Sequence, residues 1–144
     1  MQAGLVFIAG TAGKMVVNSA ITPVVSSTIS LVSSLRSSGN TETLQHVLDK
    51  HDITCTLQTI EATCNAICSD KEPLKTAAQN VVAAVHQIHQ LLTRCADITA
   101  SHEAGYVSRW RSLNLEHEIQ QLEAYMSVLL HRFKLMCDIR TVVE

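Results

Sequence analysis

The sequence predicts an all-α protein, an elongated up-down-up-down four-helix bundle with long antiparallel helices, occupying residues 1–144 as a single domain. Three observations predict it. The hydrophobic fraction is 47% while aromatics make up only 3%, with five glycines and two prolines, too few turn and aromatic residues for an all-β chain. Three long segments repeat their apolar residues in alternating steps of four and three, the stripe of a 3.6-residue helix. Short polar or glycine-containing stretches separate the segments.

The N-terminal segment, residues 1–38, opens with the apolar MQAGLVFIAGTAG. It lacks the basic start and long apolar centre of a signal peptide, so no cleaved signal is expected. Gly10 to Lys14 (GTAGK) is not a phosphate loop. Ile8 stands where the first glycine is required, and Met15 follows the lysine where a magnesium-binding hydroxyl is required. Met15 to Leu35 carries no charge, which is long enough for a membrane span, but nine of its residues are Ser, Thr or Asn. Val17, Ile21, Val24, Thr28, Leu31 and Leu35 form a stripe instead, with Ser26, Ser27, Ser30, Ser33 and Ser34 on the polar side. Thr22 is a candidate cap with Pro23 at a first helical position. Ser37-Ser38-Gly39-Asn40 reads as a turn.

Three long helices are expected over residues 41–144. The first, about Thr41 to Cys68, has two half-stripes. Leu44, Val47, Leu48, His51 and Cys55 share one face; Ile53, Leu57, Ile60, Cys64 and Ile67 share nearly the opposite one. Either this helix is covered on two sides, or it bends near Asp49-Lys50-His51-Asp52. Ser69-Asp70-Lys71-Glu72 is a capping-box candidate before Pro73. The next stripe is Leu74, Ala78, Val81, Val85, Ile88, Leu92 and Cys95, widened by Ala77, Ala84, Leu91 and Ile98, as for a helix with two neighbours. The pattern lapses toward Gly105. Asn114 is a candidate cap for the last helix, with Glu116 and Glu118 in its first turn, where the helix dipole favours acids. That helix carries Leu115, Ile119, Leu122, Met126, Leu129, Phe133 and Met136. The predicted core is therefore centred on Leu74, Val81, Val85, Ile88, Leu92 and this last stripe.

Eleven basic against thirteen acidic residues give a net charge of −2, which excludes the basic footprint of a nucleic-acid binder. The five cysteines are odd in number and lie in apolar helical patterns. Buried free thiols in an intracellular, reducing compartment are expected rather than a disulfide framework. Cys64, Cys68, His86 and His89 read C-x3-C-x17-H-x2-H, a conceivable zinc set if antiparallel helices converge. Cys64 also belongs to the apolar stepping, so core thiols with surface histidines are expected and no metal or other cofactor is assigned. No catalytic motif stands out, and an enzyme is not expected.

Arg109-Trp110-Arg111 is the most distinctive short stretch. It either seals the end of the bundle or serves as a contact point, Trp and Arg being enriched at interface hot spots. His131-Arg132, Lys134 and Arg140 make the last helix mildly basic, a solvated face or one suited to an acidic partner or lipid headgroups. The segment from His102 through Trp110-Arg111 to Leu129-Leu130-His131-Arg132-Phe133 resembles the end of small all-helical proteins of large DNA viruses of eukaryotes. In those, an aromatic-plus-Arg junction precedes a helix with an LLxRF-like stretch. The resemblance covers about a quarter of the chain and implies a virion-associated or other structural role. In architecture alone, an apolar N-terminus leading into a bundle is similar to HeLo-type and necroptosis-effector domains, which act on membranes. Protein partners or self-association are thus expected. The rival expectation is a membrane-acting helical bundle whose apolar N-terminal segment, residues 1–35, binds or inserts into lipid.

Overall fold

The computed structural model describes residues 12–37, 42–105 and 114–144, with residues 12–19 described by their backbone. The described chain is all-helical: α1 (Ala12–Arg36), α2 (Glu42–Lys50), α3 (Ile53–Asn65), α4 (Glu72–Glu103) and α5 (Glu116–Val143). Residues 1–11, the turn at 38–40 and the Arg109-Trp110-Arg111 junction lie outside the described residues.

Among the described residues, the region 41–144 therefore shows four helices where three were expected, because the second segment is broken. Leu44, Val47 and Leu48 are buried on α2, and Ile53, Leu57, Ile60 and Cys64 on α3. At 100° per residue, Ile53 would sit on the opposite side of a straight helix from Leu44. One set would then face water. The chain avoids this by placing Asp52 in the left-handed region (φ 44°, ψ 55°), the non-glycine position with positive φ among the described residues. Aspartate tolerates that conformation better than most residues. The corner is closed by its own hydrogen bonds: the Thr56 hydroxyl donates to the His51 carbonyl (3.1 Å), and the Thr56 N–H to the Asp52 carbonyl (2.9 Å). Both half-stripes thus face one core. The break also ends the first half-stripe, and Cys55, read as part of it, is exposed.

Two expected helix starts differ as well. Pro23 stands inside α1 rather than at a helix start. Its missing N–H costs one helical bond, but the ring is exposed while Ile21, Val24 and Val25 around it are buried. Packing on the inner face carries the helix through. The capping box at Ser69–Glu72 does not form. The residue before α4 is Lys71, with Glu72 and Pro73 opening the helix, so Ser69 lies too far upstream to reach the third helical N–H; its Oγ accepts from the Lys71 N–H instead (3.2 Å). Before α5, Asn114 Oδ1 accepts from the Glu116 N–H (2.9 Å). Gly105 follows α4 in the left-handed conformation (φ 80°), with its N–H on the His102 carbonyl (3.2 Å).

The core runs the length of the described molecule. On α4, Leu74, Ala77, Ala78, Val81, Val82, Ala84, Val85, Ile88, Leu91, Leu92 and Cys95 are buried, a width explained by two neighbours, α5 on one side and α1 on the other. The small alanines let those helices approach closely. On α5, Leu122, Met126, Leu129 and Met136 are buried, Leu115 is buried just before its first turn, and Ile119 and Phe133 are half-buried against the same cluster. The buried hydroxyls of Thr28 and Thr99 donate to the carbonyls of Val24 (2.6 Å) and Cys95 (2.8 Å), so neither carries an unsatisfied donor into the core.

Polar contacts fix the directions. Arg94 reaches Gln121 and Arg132 reaches the carbonyl of Asn80, so α4 and α5 run antiparallel. Lys50 and His51 meet Glu123, and Arg140 donates to the Ala66 carbonyl beyond α3, so the α2–α3 pair runs in the same sense as α5. α1 packs along both α3 and α4.

Candidate functional site

The four candidate zinc ligands are not brought together. Cys64 is buried on α3 and Cys68 is exposed beyond that helix; His86 is exposed and His89 half-buried on α4. α3 and α4 do not run alongside each other; each packs on α1 instead. Among the described residues no three His, Cys, Asp or Glu side chains are grouped to hold a metal ion.

The cysteines divide by environment. All five are free; Cys64 and Cys95 are buried, Cys137 is intermediate, and Cys55 and Cys68 are exposed. The expectation of buried thiols throughout is thus corrected for two of them: Cys55 follows the helix break, and Cys68 lies in the connection to α4. Burial pushes the Cys64 thiol up to about 11, with nearby Cys137 adding to it. Burial likewise raises Cys95 to about 11, reinforced by the Glu118 carboxylate and opposed by Arg94. Both thiols are thereby held in the protonated form near neutrality and pack as small apolar groups.

Two features emerge that the sequence reading missed. The first is a charge cluster at the α2–α3 corner. Glu123 on α5 receives Lys50 Nζ (3.0 Å) on one carboxylate oxygen and His51 Nε2 on the other. Hydrogen bonding from His51, then from Lys50, holds the Glu123 carboxyl below its ordinary value. One residue earlier, Asp49 pairs with Arg36 at the end of α1. Beside it, Gln45 Nε2 donates to the Leu35 and Arg36 carbonyls at the end of α1 (3.1 and 3.3 Å). None of these pairings has a local signature, since their members are far apart in sequence.

The second feature is on the outer side of α5. Val128 (37% exposed), Leu135 (48%) and Val142 (84%) are exposed large apolar side chains spaced seven apart, with Leu130 (44%) as a fourth on another side. Seven residues return almost to the same angle on a helix, so Val128, Leu135 and Val142 form one row. The buried stripe Leu122–Met136 looks about 120° away from it. The spacing was present in the sequence, overshadowed by the stronger inward stripe on the same helix. His131, Lys134 and Asp138 flank the row, and Lys134 pairs with Asp138 (2.9 Å). The basic character expected of this helix is thereby partly neutralised: Arg132 is turned to α4, and Arg140 lies against Ala66 and Glu144 (3.6 Å).

No described helix is long and apolar enough to cross a membrane. Comparison with known proteins brings no match to a family model, a curated protein or a solved structure.

Proposed function

We propose that this chain is a non-enzymatic structural or interaction protein. It works as a helical bundle that presents helix faces to neighbours in an assembly, a minor component of a viral particle or of another multi-copy structure. In this reading α2 and α3 are one interrupted rod. With α1, α4 and α5 it makes an up-down-up-down four-helix bundle, supported by the antiparallel α4–α5 pair and the shared sense of α2–α3 and α5. The viral setting is supported by the resemblance of the His102–Phe133 segment to small helical virion proteins.

The observation that carries the functional reading is the outer row of α5, Val128, Leu135 and Val142. Apolar side chains scattered singly on a surface are ordinary. Three on one side of α5 make a row rather than a scatter, and α5 has already buried a different stripe within its own fold. The neighbour assigned to it is a second copy of the chain. A two-fold axis at Leu135 would set Val128 of one copy opposite Val142 of the other, a self-complementary arrangement of apolar groups. The row is roughly 21 Å long, fourteen residues at helical rise, which suits a modest contact.

Light scattering across a concentration series tests this. A mass above that of one chain, lost in Leu135→Lys with the melting transition retained, supports it. Flotation of the chain with liposomes, abolished by removing residues 1–39, would overturn it in favour of a membrane-acting bundle.

A further inference from the structure

We propose that α2 is a strap that opens as a unit about the His51–Asp52 corner, and that the charges converging on Glu123 and Asp49 hold it shut. Four observations carry this. α2 has nine residues, too few to keep helical structure without its neighbours. It buries Leu44, Val47 and Leu48 but touches each of α1, α3 and α5 only briefly, whereas α3 packs along α1. Its C-terminal end is a ready pivot, with Asp52 already left-handed and the helical hydrogen-bond ladder interrupted. Its charged contacts are concentrated at one end, Asp49 to Arg36 on α1 and Lys50 and His51 to Glu123 on α5, and add to the hydrogen bonds of Gln45 to the end of α1.

Breaking those pairs removes the charged ties to α1 and α5 and leaves α2 held by Gln45 on the end of α1 and by its three buried side chains. α3 is held by other means, its stripe Ile53, Leu57, Ile60 and Cys64 packed into the core and the carbonyl of Ala66 beyond its end capped by Arg140. Opening therefore bares Leu44, Val47, Leu48 and the end of the core they cover, while α1, α3, α4 and α5 stay together. Local opening of this kind requires few buried contacts and a break in the backbone ladder, and α2 has both.

Hydrogen exchange resolved by segment tests the strap on the full chain. In the wild type the amides of residues 44–50 exchange faster than those of 57–64 and 78–95. Glu123→Gln speeds residues 44–50 by about fivefold and leaves 78–95 unchanged. Should Glu123→Gln fail to fold, the wild type in 1 M sodium chloride gives the same readout, since exposed ion pairs are screened at that strength. Equal protection of 44–50 and 78–95 in the wild type overturns the proposal. So does exchange in 44–50 that responds to neither the substitution nor salt, or that rises together with residues 57–64.

Discussion

His51 and Glu123 stand 72 positions apart in the chain and are joined by a hydrogen bond that pins the α2–α3 corner to α5. Lys50 shares the same carboxylate. A carboxyl held below its ordinary value stabilises the fold above the unfolded value, near 4.5, and that stability is lost as pH falls through the lower folded value. Glu123→Gln should therefore melt lower than wild type at pH 7, and the two melting curves should converge as the pH is brought below 4.5. A difference that persists unchanged in acid would show that Glu123 acts through packing rather than charge.

Asp52→Gly should stabilise the protein, the reverse of what glycine does next to most helices. Asp52 has φ 44°, where a β-carbon is crowded and glycine is not. The expected gain is up to ~1 kcal/mol, and Asp52→Val should lose at least as much. Chemical denaturation of the two variants reads both signs. A destabilised glycine variant would mean that the corner has another conformation.

The helical class was legible because three segments keep their four-and-three stepping in phase for about twenty residues, longer than chance sustains. The break between α2 and α3 was visible as a change of phase between Leu48 and Ile53, but a phase change alone fits either a two-faced helix or a bend. What decides it is one residue, Asp52, entering the left-handed region, and aspartate there has no sequence signature of its own. Ser69 illustrates the opposite error. The right residues for a capping box were present at the right spacing, yet the helix opens two residues later, where Pro73 fits its first turn. The Glu123 cluster was illegible because ionic partners on different helices meet only through the tertiary fold.

Leu122 is 1% exposed at the centre of the α5 stripe. Leu122→Ala should cost about 2–5 kcal/mol through lost burial and the cavity left behind. Leu122→Asp should abolish the cooperative melt, since it places an uncompensated charge in the core. A near-native melt for the aspartate variant would remove α5 from the core.

Cysteine labelling should follow burial and thiol ionisation. Cys55 and Cys68 are exposed, whereas Cys64 and Cys95 are buried and held near 11. Brief treatment of the folded protein with iodoacetamide at pH 7.5, mapped by mass spectrometry, should modify the first two and spare the second two until denaturant is added. Rapid labelling of Cys64 without denaturant would contradict the packing of α3.

The central claim is that the row Val128–Leu135–Val142 on α5 is a contact surface for a second copy of the chain. Sedimentation equilibrium on the wild type and on Leu135→Lys, at matched concentrations, tests it most directly. The expected result is a wild-type mass that rises with concentration from 15.7 kDa toward twice that value, and a variant that stays at 15.7 kDa with an unchanged melt. A wild type that remains at 15.7 kDa at every concentration, or a variant that associates as strongly as the wild type, would contradict it.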